Sequence, residues 1–170
     1  MISRNCRRCK LCLTRKNMVI GRGSIPADIL FIGEGPGKVE DATGQPFTGP
    51  SGKVLDAAIE QSSNMFGFHF PDYYITNLIM CRPTDTINGP NRVPTDQEIK
   101  ACYSNLRVIF ENVCPDIVIT LGKTAEKSII KSDKVYNIKH PAYILRQGGI
   151  ESPQFLSYAR ELADILEKEF

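Results

Sequence analysis

Apolar residues in this chain fall into short unbroken runs, separated by longer stretches in which they recur every three or four positions. The run Asp28-Ile29-Leu30-Phe31-Ile32-Gly33 is apolar throughout and ends at glycine, the pattern of a strand buried on both faces. Residues 73–77 read as a second strand with a possible extension to Ile79, and 116–121, closed by Gly122, as a third. Residues 135–139 read as a fourth. Helical spacing fills the intervals. Residues 50–63 place Val54, Leu55, Ala58, Ile59 and Ser62 on one face. Thr95-Asp96-Gln97-Glu98 forms a capping box, in which hydroxyl and carboxylate satisfy orphan N–H groups reciprocally. The helix it starts carries Ile99, Cys102, Leu106, Ile109, Phe110 and Val113 on one stripe. A short helix is predicted over 124–131, and Ser152-Pro153 opens a last one.

Strands alternating with helices predict an α/β fold: a three-layer α/β/α sandwich with a central four-stranded, mainly parallel sheet, in one domain spanning residues 1–170. Ligands of such sheets bind beyond the carboxyl ends of the strands. That rule gathers residues 33–41, 77–82, Gly122 and His140 at one end of the molecule. Residues 82–94, rich in Pro, Gly, Asn and Thr, make a loop of the length usually reserved for function.

Composition narrows the class. A 170-residue chain with 42% hydrophobic and 24% charged residues can bury a genuine core. It has no run of about 18 apolar residues, so no membrane span is expected, and no secretory leader is read at its start. Cysteines in that setting point to a reducing, cytoplasmic compartment and to metal ligation rather than disulfides. The net charge is +2, yet residues 1–27 contain seven arginines and lysines and no acid, leaving −5 on the remainder. A basic segment on a mildly acidic body points to a polyanion, nucleic acid foremost; a solvated basic tail is the plain alternative.

Cys6 and Cys9 form a C-x-x-C within that basic segment, Cys81 follows the second strand, and Cys102 lies in a helix. Folding is expected to close the four into one thiolate cage that ties residues 1–27 to the body. Four thiolates suit structural zinc or an iron–sulfur cluster, and spacing does not separate the two. Cys12 and Cys114 are spares; Cys12 lies near enough to substitute as a ligand, and Cys114, before Pro115, is expected to pack as a small hydrophobe. His69, between Phe68 and Phe70, reads as structural. Gly33-Glu34-Gly35-Pro36-Gly37 looks like a phosphate-binding turn but fails the dinucleotide fingerprint at Lys38. Gly49 to Val54 fails the Walker template at Phe47. A glycine-rich turn of this kind lets backbone approach a flat ligand.

The runs GEGPGKVEDATGQPFTGPSGKVLD, YITNLIMCRP, Leu121-Gly122 and HPAYILR, with Cys102 between them, closely resemble the iron–sulfur (family 4) uracil-DNA glycosylases, in the family's order. The resemblance implies hydrolysis of the N-glycosidic bond of uracil in single- or double-stranded DNA; with the sheet faces used by helices, a monomer is expected. The resemblance assigns Cys6, Cys9, Cys81 and Cys102 to a 4Fe-4S cluster. It places Asn77 against the Watson–Crick edge of the base, Phe47 on its face, His140 near O2, and backbone of Gly33, Glu34 and Gly35 along the pocket. Glu34 and Glu40 are the candidate acids; Glu40 also matches the residue that crowds uracil C5, and Arg146 lies where the family enters the minor groove. The family carries a longer segment before His-Pro than residues 123–139, so weaker duplex contacts are expected here. That shortening motivates one alternative, a glycosylase-like binding module without turnover. A nucleotide-binding protein is disfavoured by both failed templates.

Overall fold

Side-chain alternation along the buried strands decides the layering. The computed structural model describes residues 2–67 and 69–170. Among them five strands form one sheet: β1 (Arg22–Gly23), β2 (Ile29–Gly33), β3 (Tyr73–Asn77), β4 (Ile117–Leu121) and β5 (Val135–Ile138), in the order β1-β3-β2-β4-β5. Ile29, Phe31, Ile75, Ile117, Ile119 and Leu121 point to one face, Leu30, Ile32, Tyr74 and Val118 to the other. Each fully buried side chain of this size contributes about 1.5–3 kcal/mol. The first face is covered by α2 (Pro50–Phe66), α5 (Pro141–Arg146) and α6 (Pro153–Glu169). The second is covered by α3 (Asp96–Val113), α4 (Lys123–Ser128) and the N-terminal segment through Leu11 and Met18. The three-layer α/β/α arrangement is the one expected.

Several boundaries differ. The sheet has a fifth strand, β1, antiparallel to β3; two residues are too few for a periodicity to reveal. β3 stops at Asn77 and β5 at Ile138, whereas α2 continues past residue 63 to Phe66. α4 is shorter than 124–131. Two short helices, α1 (Lys38–Thr43) and α5, arise in segments read only as motifs. The capping box at Thr95 forms as expected, with Glu98 N–H donating to Thr95 Oγ1 at 3.2 Å and Thr95 N–H to Glu98 Oε2 at 2.8 Å. Cys114 departs from expectation: it is exposed, at a left-handed φ of 49° where α3 terminates. It ends a helix rather than filling a core. No described helix is long and apolar enough to cross a membrane.

Parallel register then sets the site. β2 and β3 pair so that Gly33 faces Asn77, and β4 and β5 pair so that Leu121 faces Ile138. The strand ends carrying the motifs therefore finish at one edge of the sheet.

Candidate active site

Glu34, Gly35, Gly37, Glu40, Phe47, Ser51, Asn77, Asn91, His140 and Ala142 line one cavity of about 210 Å³ beyond those strand ends. Six of the seven pocket and acid positions expected from sequence thus share a slot. The seventh, Gly33, forms its floor: a Cβ there would stand 2.5 Å from Asn77 Oδ1 and 2.6 Å from Phe47 Cζ. Only glycine lets the amide and the ring close over the end of β2. Asn77 is 2% exposed, and its Oδ1 is a buried acceptor without a hydrogen-bond partner. Such a group is costly to leave unmade, which makes it the candidate acceptor for a ligand in this slot.

Phe47 is buried at a φ of 52°, a left-handed backbone that costs a residue with a side chain about 1–2 kcal/mol. Arg22 of β1 holds that turn, donating to the carbonyl of Pro46 at 3.0 Å and pairing with Asp56. The strained turn presents the Phe47 ring 6.0 Å from the His140 imidazole, their planes 31° apart.

His140 precedes α5, and its Nδ1 accepts the N–H of Ala142 at 3.1 Å. An acceptor Nδ1 places the proton on Nε2. Burial, and then the charge of Arg146, lower the imidazole pKa from 6.5 to about 4, so the ring is neutral at pH 7. Gly122 makes the site possible: at a φ of 86°, it lies where a Cβ would come within 2.9 Å of His140 Cβ. Arg146 is exposed in the last turn of α5, beside half-exposed Tyr143 and Leu145. His69 is on the surface, outside the slot's lining, and its neighbour Phe68 lies outside the described residues.

The acids divide. Glu40 spends both oxygens on backbone, accepting Gly37 N–H at 3.1 Å and Gly49 N–H at 2.7 Å. It clamps the two glycine loops together. Glu34 is half-buried and lines the slot, and its carboxylate has no such engagement among the described residues. Asp41, 1% exposed, accepts the N–H groups of Lys16 and Asn17 at 2.8 and 3.2 Å, fastening the N-terminal segment to α1. Asn91, unremarked in the sequence, also lines the slot. Its signal was its place in a functional-length loop just downstream of Cys81 and Arg82, but nothing local distinguishes it from the loop's other polar residues.

On the opposite side of β3, Cys6, Cys9, Cys81 and Cys102 line a second, small cavity with Arg15, Met18 and Asn105. All four are free thiols. Arg15 donates to Cys81 Sγ at 3.1 Å and Asn105 Nδ2 to Cys102 Sγ at 3.8 Å. Burial pushes the Cys81 thiol up to about 11 despite Arg15, and burial likewise raises Cys9 and Cys102. Thiols so placed give up their protons only to a group that brings positive charge of its own. Among the described residues, no three His, Cys, Asp or Glu side chains are grouped to hold a metal ion. Cys12 is half-buried next to the cage but outside its lining.

A sequence profile of the Uracil DNA glycosylase superfamily matches residues 20–163. The chain is 35% identical over 161 residues to the Type-4 uracil-DNA glycosylase of Thermotoga maritima, covering 84% of this chain and 79% of that protein. It is 42% identical over 128 residues to the Type-4 uracil-DNA glycosylase of Saccharolobus solfataricus, covering 75% and 56%. The corresponding protein of Archaeoglobus fulgidus is 32% identical over 178 aligned positions, covering 98% and 85%.

Proposed function

The chain belongs to the uracil DNA glycosylase superfamily, and from that premise we propose that it excises uracil from DNA by hydrolysis, leaving an abasic site. The observation that carries the reading is the buried, unpartnered Asn77 amide oxygen in a slot shared with Phe47 and His140. A base can reach such a slot only after leaving the stack. Uracil then offers N3–H to Asn77 Oδ1 and O4 to its Nδ2, with the Phe47 ring on its face. Cytosine presents the reverse pattern and leaves buried polar groups unpaired, at roughly 1–3 kcal/mol each. Glu40, locked by Gly37 and Gly49, is the rigid wall against which a methyl at C5 collides.

When the C1′–N1 bond breaks, its electron pair passes to the base and charge collects on O2. His140 meets it with a fixed Nε2–H donor, since Nδ1 is already capped. A preorganised donor of this kind is typically worth about 3–4 kcal/mol in a dry site. Water adds to C1′ and its proton leaves through the acceptor side of the slot. Both Glu40 oxygens being engaged, Glu34 is the carboxylate left for that proton, with the Asn91 amide lining the same slot. Arg146, with Tyr143 and Leu145, forms the face that meets the DNA.

The cysteine cage fits a 4Fe-4S cluster. Its four thiols line one cavity and are the donor set that such a cluster takes, as they are of structural zinc. Bound there, the cluster would cross-link residues 1–27 to the segment after β3 through Cys81 and to α3 through Cys102. With both sheet faces covered by helices, we infer a monomer acting in a reducing compartment.

Anaerobically purified protein, incubated with single- and double-stranded oligonucleotides bearing one uracil and then treated with alkali, tests the reading. Scission at the uracil is expected on both. Binding without scission would establish the binding module instead.

A further inference from the structure

Arg82, the residue after Cys81, is 3% exposed and has no carboxylate partner among the described residues. Burying a cation without an acid is expensive, and an apolar residue of similar size would avoid the penalty. Its donors go elsewhere: Nε to Asn91 Oδ1 at 2.6 Å, and the terminal nitrogens to the carbonyls of Ile87, at 3.4 Å, and Gly89. The loop does not need Arg82 alone to hold its shape. Arg92 pairs with both oxygens of Glu98 at 2.9 and 2.8 Å and with Asp85 at 2.7 Å, and Arg92 N–H donates to Pro83 carbonyl at 2.9 Å.

The Asn91 contact is the informative one. Guanidinium has donors and no acceptor, so only the oxygen of the amide can face it. The Nδ2 end must then point the other way, and it lies 3.5 Å from the position of a Cβ on Gly37, in the slot's wall. Asn91 itself is exposed on a loop, where a free amide would turn over between its two orientations. We propose that Arg82 is a positioning residue for uracil excision: it locks the Asn91 amide with both N–H donors toward the slot.

The proposal rests on the glycosylase reading, and the test separates the two. The protein is compared with Arg82→Lys, Arg82→Met, Asn91→Ala and the Arg82→Lys/Asn91→Ala double variant. The readouts are single-turnover excision, binding of an oligonucleotide with a non-cleavable 2′-fluorinated deoxyuridine, and the ¹⁵N resonance of the Asn91 side-chain amide. Asn91→Ala is expected to slow excision about 100-fold, the scale of losing one preorganised donor. Arg82→Lys keeps the charge but not the planar fork, and is expected to slow excision about 10-fold with binding unchanged. In the double variant the lysine change adds nothing, as it must if Arg82 acts through Asn91. Independently of turnover, the Asn91 amide pair is expected to shift and exchange faster in Arg82→Lys, and in Arg82→Met where that variant folds. Multiplicative losses in the double variant, or an Asn91 amide signal untouched by Arg82→Lys, would overturn the proposal. A parent protein that fails to excise uracil sinks the glycosylase reading, while the amide signal still decides the Arg82–Asn91 lock.

Discussion

The base slot and the cysteine cage are separated by only three residues of chain, Leu78 to Met80 between Asn77 and Cys81, and they are built on opposite terms. In the slot the protein satisfies its own polar groups wherever they do not meet the ligand. Glu40 has both oxygens filled, His140 has Nδ1 filled, and Asn91 has Oδ1 filled. What stays open is the Asn77 oxygen, the His140 Nε2 side, the Glu34 carboxylate and the Asn91 N–H donors. The cage is the reverse. Burial raises its Cys9, Cys81 and Cys102 thiols, and the donors they meet, Arg15 at Cys81, Asn105 and the backbone of Met80 at Cys102, and the backbone of Leu11 at Cys9, do not offset it. One region keeps polar groups open toward a substrate; the other gathers buried thiols, the donor set of the proposed cluster.

That contrast orders the consequences of mutation. Cys81→Ser or Cys102→Ser is expected to have the largest effect, since the proposed cluster, like structural metal groups generally, would contribute on the order of 10 kcal/mol to folding. Each should yield insoluble or low-melting protein by circular dichroism; a well-folded, fully active variant would merge the two regions and break the comparison. His140→Ala comes next, with single-turnover excision down about 100- to 1,000-fold and the melting temperature little changed.

The titration of His140 sharpens the same point. Its pKa is lowered from 6.5 to about 4, so between those values the unfolded chain binds more protons than the folded one. Stability therefore falls as pH drops through that window, and is fully present above it. Protonation would also set an Nδ1 proton against the Ala142 N–H. The profile of kcat/KM should accordingly be flat through pH 6.5 and fall only toward 4; an inflection near 6.5 would mean an imidazole that is not desolvated.

Glu40→Gln should act on stability before chemistry. One acceptor of the clamp becomes a donor facing a backbone N–H, at about 1–3 kcal/mol, read as a lower midpoint in urea. The smallest effect belongs to Arg146→Ala: weaker DNA binding, with the slope of log K against log salt reduced by about 0.9 if the contact is to phosphate. An unchanged slope with altered base-pair preference would place the side chain in the groove instead.

The strands and long helices were legible because their signals are local. Five-residue buried runs and the Thr95 capping box need no knowledge of what packs against them. The slot was legible for a different reason: parallel topology carries Gly33, Asn77, Gly122 and His140 to one edge whatever the loops do. Where reading failed, placement depends on distant side chains. Asn91 enters the slot because a buried arginine nine residues earlier grips it, and Glu40 loses its freedom to two backbone groups on separate loops. Cys114 ends a helix in a left-handed turn, a fate that its apolar character hides. α1 and α5 span six residues each, under two turns, and so leave no periodicity to find.

The most direct measurement is base preference in Asn77→Asp, scored as alkali-sensitive cleavage of oligonucleotides carrying one uracil or one unpaired cytosine. Loss of uracil excision, with any remaining activity directed at cytosine, is the predicted result, because a carboxylate no longer donates to O4. Uracil preference preserved at the parent's rate would contradict the assignment of Asn77 as the reader of the base.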